Sequence, residues 1–157
     1  MPTWAGMTTE ESWKREITDI DPFDPNEECK EDHNIRIATT ISHFNDEIKS
    51  ILESIQPNTV NRIGGAGNKC NCVGRNVVDA YVFPSFGLKY WDICAPSAIY
   101  KGMGCFGTNL LEERLVFPID GDRKLRGLIL ARNKSMHGVL VKRLAPVIAG
   151  IRGKFMA

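Results

Sequence analysis

Two aspartates stand among strand-forming residues: Asp79 in VVDAYVF (77–83) and Asp92 in LKYWDICA (88–95). The β-branched and aromatic content of both segments predicts strands. Alternation sets Val77, Asp79, Tyr81 and Phe83 on one face of the first, and Tyr90, Asp92 and Cys94 on one face of the second. An ionised carboxylate among apolar side chains is costly unless it is paired or binds a cation. Two such groups on neighbouring strands can share one hard ion, Mg²⁺ or Mn²⁺. That ion would make a water nucleophilic and neutralise a phosphoryl oxygen. The alternative is structural, each aspartate capping a loop or pairing with a base such as Arg75 or Lys89. Either way, each carboxylate needs a partner.

A second constellation uses soft ligands. Cys29 with His33 (C-x3-H) and Cys70 with Cys72 (C-x-C) could supply four zinc ligands, although C-x-C is tighter than the usual spacing; the alternative is ordinary thiols. Five cysteines is an odd count, and the N-terminus shows no leader for secretion, so the expectation is a reducing, intracellular compartment without disulfides. Cys94 and Cys105 read as core. His43 reads as a packing or surface residue rather than a base, and His137 as one that meets phosphate or is simply exposed. No Gly-x-Ser-x-Gly elbow occurs, and the Gly-rich run 64–75 does not match G-x4-G-K-[ST], which excludes nucleotide binding by that route.

Charge is divided along the chain. Residues 1–60 hold 13 Asp/Glu against 5 Lys/Arg, a balance of −8; residues 61–157 hold 15 Lys/Arg against 6 Asp/Glu, a balance of +9. Past Asp122 there is no acidic residue, while Arg123, Lys124, Arg126, Arg132, Lys134, Lys142, Arg143, Arg152 and Lys154 follow. Such a tail suits contact with phosphates, so DNA or RNA backbone is an expected partner, with Arg123, Lys124, Arg126, Arg132 and Lys134 steering it. The competing expectation is that the basic half packs on the acidic half, or that the acidic arm meets another protein. No apolar run approaches the ~20 residues of a membrane span.

The elements that must position these residues follow from periodicity. Thr8 and Glu11 form a capping-box pattern that predicts a short N-terminal helix. Residues 18–34 read as an irregular acidic linker with two Asp-Pro steps. Ile37, Ile41, Phe44, Ile48, Leu52 and Ile55 recur every three or four residues and predict one helix from Ile35 to Pro57. Residues 64–75 read as a loop, 97–113 as a weak helix, 114–119 and 125–131 as a strand pair around Asp120-Gly121, and Ser135 opens a last helix. The division is an acidic arm over 1–34 and a core over 35–157. The fold class is α/β (α+β): one domain with a mixed central sheet flanked by helices.

The stretch from Arg75 to Pro96 resembles the core of the PD-(D/E)XK nucleases, the restriction-endonuclease-like superfamily. That resemblance implies metal-dependent phosphodiester cleavage with Asp79 and Asp92 on the metal. It implies a carboxylate from the preceding helix, Glu47 or Glu53, and a catalytic lysine, for which Lys101 is available. The position two after Asp92 is Cys94 where the pattern has lysine. A scattered set (Lys101-Gly102, Leu110-Leu111, Pro118, Arg123-Lys124, Gly127 and His137) resembles part of the acidic polymerase subunit of influenza-like viruses, which implies a non-enzymatic assembly piece. The leading expectation is a nucleic-acid-binding protein with Mg²⁺-dependent cleavage; the second is an interaction protein without catalysis.

Overall fold

The computed structural model describes residues 23–41, 45–121 and 123–156. The short helix predicted near Thr8 lies outside them. Five strands form one mixed sheet: β1 (Arg36–Thr39), β2 (Thr59–Arg62), β3 (Ala80–Lys89), β4 (Phe106–Thr108) and β5 (Lys124–Ala131), in the order β2-β1-β3-β5-β4. β1 runs parallel to β2 and β3, and β5 runs antiparallel to β3 and β4. The helices are α1 (Asp46–Ile55), α2 (Ala66–Gly74), α3 (Tyr90–Gly102) and α4 (Lys134–Met156).

Period-two alternation divides the core between the faces of the sheet. Ile35, Ile37, Ala80, Val82, Ile129 and Ala131 pack with α1 and α4 (Ile51, Ile55, Leu140, Leu144). Ala38, Tyr81, Leu128 and Leu130 pack with α2 and α3 (Cys70, Val73, Ile93, Tyr100). The result is a helix–sheet–helix sandwich, the mixed α/β domain that the sequence predicts.

Several elements differ from expectation; among them, the weak helix expected over 97–113 ends at Gly102 and is followed by β4. The single helix from Ile35 is a strand followed by a helix. Ile35 and Ile37 are fully buried on one sheet face, and α1 starts only at Asp46, where the Asn45 side chain accepts the Ile48 N–H at 3.0 Å. The apolar stripe had joined a period of two to a period of 3.6. The Gly-rich run is the helix α2. Its Gly74 serves packing, since a Cβ there would lie 2.1 Å from the Tyr100 ring. Tyr100 OH also donates to Asn71 Oδ1 at 3.0 Å, which ties α3 to α2.

The segment expected as a second strand, 88–95, is the end of β3 and the start of α3. Lys89 is the N-cap, and its backbone N–H donates to Asp92 Oδ2 at 2.9 Å. Asp92 therefore stands in the first turn of a helix, where a carboxylate satisfies an orphan donor and meets the positive end of the dipole. The segment 114–119 makes only one bridge, Arg114 to Thr108. Among the described residues no helix is long and apolar enough to cross a membrane.

Candidate active site

In an open sheet with parallel strands, a crevice opens where connections from adjacent strands leave toward opposite faces. β1 and β3 are such a pair. The chain leaves β1 for α1 on one face and leaves β3 for α3 on the other. The carboxyl ends of β1, β2 and β3 therefore gather the first turn of α1, the Gly64–Ala66 turn that opens α2, and the Lys89–Asp92 turn that opens α3.

Each piece carries a polar group suited to that edge. Glu47, in the first turn of α1, accepts a hydrogen bond from Ser85 Oγ at 2.7 Å, which pins the irregular far end of β3 to α1. Gly65 has φ +75, a conformation that glycine adopts at little cost, and it precedes α2 with no side-chain cap. The first N–H groups of α2 thus meet no capping side chain, the arrangement that receives anions at helix N-termini.

Lys69 lies beneath this turn. Only 3% of it is exposed, and its ammonium donates to the carbonyls of Ile63 and Gly65, each at 3.1 Å. Burial pushes its pKa down, with an opposing contribution from Cys70. The same ammonium sits 5.1 Å over the Tyr81 ring. Burial raises the Tyr81 phenol, and the Cys70 and Asp92 charges add to that rise.

Asp79 and Asp92 do not converge. They flank β3, ten residues long; at ~3.3 Å per residue such a strand spans roughly 30 Å if straight, and its bulges shorten this only in part. Asp79 is 1% exposed and already partnered. Its Oδ2 accepts the Arg36 backbone N–H at 2.8 Å and Arg36 Nε at 3.1 Å, and its Oδ1 meets the Arg36 guanidinium at 2.9 Å and Arg132 Nε at 3.4 Å. The structure gives Asp79 the paired role and gives Asp92 the turn at the crevice.

The other residues singled out by the sequence are dispersed. Lys101 lies nine residues beyond Asp92 on α3, about 13 Å away at 1.5 Å per residue. Glu53 is exposed, two turns past the α1 start that carries Glu47.

Cys29 and His33 face Arg132, whose terminal nitrogen lies 3.7 Å from the thiol and 3.2 Å from the imidazole. A guanidinium occupies the place a metal would take. Cys70 lies in the core on the other face of the sheet, its thiol pushed up to about 12 chiefly by burial, so it is held as the non-ligating thiol. Among the described residues no three His, Cys, Asp or Glu side chains form a metal-binding group. Zinc at Cys29, His33, Cys70 and Cys72 is therefore not supported.

The basic residues do not form one stripe either. Arg123, Lys124 and Arg126 gather where β5 meets the end of β3, through the Lys89–Lys124 and Phe86–Arg126 pairs. Lys134 lies past the other end of β5, over the Phe106 ring. Arg132 is buried in ion pairs with Glu27 at 2.9 Å and with Asp79. Further along α4, Lys142 pairs with Glu31 at 2.9 Å and Arg143 donates to the Glu31 carbonyl. Part of the charge division is thus settled within the molecule, Arg132, Lys142 and Arg143 holding Glu27 and Glu31.

This three-layer sandwich, with an uncapped helix N-terminus and a buried lysine at its parallel edge, fits a class of small-substrate phosphatases. The inositol monophosphatase family model matches residues 8–149, and the chain belongs to that family. Among curated relatives, 3'(2'),5'-bisphosphate nucleotidase 1 of Dictyostelium discoideum is 39% identical over 87 residues, 55% of this chain and 28% of the relative. Inositol monophosphatase 3 of Danio rerio is 33% identical over 118 residues, 69% of this chain and 33% of the relative. Inositol monophosphatase II from Staphylococcus aureus shares the fold at a TM-score of 0.65 and 19% identity, over 86% of this chain and 49% of that chain. The chain thus spans about half the length of that solved structure, and its match to the nucleotidase covers 28% of the relative.

These findings correct the nuclease reading. The family is not the PD-(D/E)XK superfamily, and the match that suggested it rested on two strands where there is one strand and a helix. Nucleic-acid binding with phosphodiester cleavage, and a DNA or RNA backbone as partner, fall with it: the matched relatives are named for a nucleotidase and for phosphatases of small phosphate esters. The viral polymerase-subunit resemblance and the assembly role it implied are overturned by the same match.

The edge residues that sequence reasoning missed are Lys69, the Gly64–Gly65 turn and the Glu47–Ser85 contact. The first two lie in GGAGNK, a run that lacks the phosphate-loop spacing and so carries no signal of its own.

Proposed function

We propose that the carboxyl edge of β1, β2 and β3 is the substrate-facing part of a phosphomonoesterase that hydrolyses small phosphorylated substrates of the nucleoside bisphosphate class. The observation that carries this reading is the α2 N-terminus. It lacks a side-chain cap, follows the Gly64–Gly65 turn, and has the Lys69 ammonium buried directly beneath it. Backbone N–H groups with a fixed cation behind them suit a phosphoryl group and cost no reorganisation when it arrives. Lys69 shapes the turn through its two carbonyl contacts and adds positive potential.

Asp92 offers one oxygen to the Lys89 N–H, and its other oxygen has no partner among the described residues. That second oxygen can face a cation or hold an attacking water. The reaction splits the phosphate ester with water and yields the free alcohol and inorganic phosphate. Arg123, Lys124 and Arg126, near the end of β3, give this edge a basic rim that draws multiply charged substrates.

The family implies magnesium, an ion with about six oxygen ligands. Asp92, with one oxygen unpartnered among the described residues, would supply one of these ligands, and no group of three His, Cys, Asp or Glu side chains forms among the described residues.

Phosphate release by the full chain, with Mg²⁺ present, from adenosine 3',5'-bisphosphate and from inositol monophosphate tests the proposal. The expected result is release from at least one substrate, cut about 10²-fold or more by Asp92→Asn. Release from neither, or an Asp92→Asn protein as active as the parent, overturns the reading.

A further inference from the structure

A cavity of about 540 Å³ opens on the α2/α3 side of the sheet, and its lining shares no residue with the candidate active site. Its floor is Leu128 and Leu130 of β5, its wall is Ile93 of α3, and its roof is Leu115 and Phe117 of the irregular segment after β4. The volume falls in the range of small-molecule sites, roughly 300–1,000 Å³. Two wall groups that could have carried charge are neutral: burial raises the Cys70 and Cys105 thiols to about 12.

Two cations border this apolar space. Lys101, at the end of α3, and Arg114, in the roof, both line the cavity and are exposed. Neither makes a side-chain hydrogen bond or ion pair with a described residue. The roof between them is held in place: Asn109 Oδ1 accepts the N–H groups of Leu111 and Glu113, each at 2.9 Å, and Asn109 Nδ2 donates to Glu113 Oε2 at 2.7 Å. Glu112, also in the lining, sits at φ +64, a left-handed conformation uncommon for a residue with a side chain and one that collects at ligand clamps.

We propose that this cavity is a second ligand site, distinct from the phosphatase edge, for an amphipathic anion: an aromatic or acyl body in the apolar space and one carboxylate, sulfonate or phosphate group on Lys101 and Arg114. The apolar walls supply the affinity and the two cations, unpaired among the described residues, set the sign of charge. Glu112 opposes the anion and limits its affinity. The inference goes beyond the phosphatase reading and does not depend on it.

Calorimetric titration of the full chain with naphthalene-2-sulfonate, and with the neutral 2-naphthalenemethanol, tests it. Neither compound is a phosphate ester, so catalysis does not enter. The expected result is saturable one-to-one binding of the sulfonate. The double variant Lys101→Gln/Arg114→Gln weakens that binding about tenfold and leaves the alcohol within about twofold. Glu112→Gln tightens the sulfonate alone, and Ser97→Phe, which fills the cavity, removes both ligands. Lys101, Arg114 and Glu112 are exposed, so their variants fold even if Ser97→Phe does not. Absence of saturable sulfonate binding, or equal affinity in the parent and the double variant, overturns the proposal.

Discussion

Replacing Asp79 separates a paired structural aspartate from a metal ligand. Asp79→Ala removes a carboxylate that accepts three hydrogen bonds from Arg36 and lies 3.4 Å from Arg132 Nε. The two guanidinium groups lose different amounts. The Arg36 side chain is 39% exposed and recovers water, so its share is discounted; the Arg132 side chain is 7% exposed and, among the described residues, keeps Glu27 alone as a charged partner. Breaking a buried pair by deleting one member costs about 3–5 kcal/mol. With the Arg36 share reduced, the loss falls near the lower end, about 3 kcal/mol, a large fraction of the roughly 5–15 kcal/mol that holds a domain folded. Urea unfolding at pH 7, followed by circular dichroism, reads this as a lower midpoint at unchanged slope. The double variant Asp79→Leu/Arg132→Met should regain part of the loss, because it buries no unpaired charge. A loss under about 1 kcal/mol for Asp79→Ala would refute the pairing argument.

Other expectations follow from burial. Burial lowers the His137 imidazole to about 4, so the fold requires it neutral while the unfolded chain takes up the proton near 6.5. Its contribution is complete above that pH and is lost as pH falls from 6.5 toward 4, by about 2 kcal/mol at pH 5 and about 3 kcal/mol at pH 4; melting temperatures against pH should show the drop, and His137→Gln should flatten it. Cys70 and Cys105, both raised to about 12, keep their protons in the fold while the unfolded chain gives them up near 9, so stability falls as pH rises above 9. Ellman's reagent at pH 8 should spare both thiols until urea is added. Gly74→Ala forces a methyl into the Tyr100 ring and should cost about 2 kcal/mol, read as a lower melting temperature; an unchanged or raised melting temperature would show that α2 and α3 can part there.

The fold class was legible in the sequence because alternation and apolar content survive in β3, β5 and α4. Element borders were not, wherever two periods joined. Ile35 and Ile37 belong to a strand, yet they fall in phase with the stripe of α1, and only the tertiary pairing of β1 with β3 decides between them. Asp92 was singled out for its apolar neighbours, but Lys89 is a poor announcement of a helix start, and the Lys89–Asp92 cap is visible only in the folded turn. Lys69 escaped notice because its role depends on burial: one lysine in a Gly-rich run gives no sign that its ammonium will be covered. The basic tail suggests a surface, whereas Arg132 faces inward because Glu27 and Asp79 are assembled around it by distant segments.

The clasp between the acidic arm and the far end of the chain bears on synthesis. Cys29 N–H donates to Ser135 Oγ, the Asn133 amide donates to the Asp24 and Glu27 carbonyls, and Lys142 meets Glu31. These partners lie 106, 109, 106 and 111 residues apart in the chain. At roughly 5–20 residues per second on the ribosome, the arm waits on the order of 10 s before its counterparts exist. Throughout that interval Glu27 and Glu31 lack Arg132 and Lys142, and β1 has no α4 to cover it. Docking of the last helix is thus the event that fastens the arm, and a nascent chain halted before residue 133 would carry the acidic segment exposed.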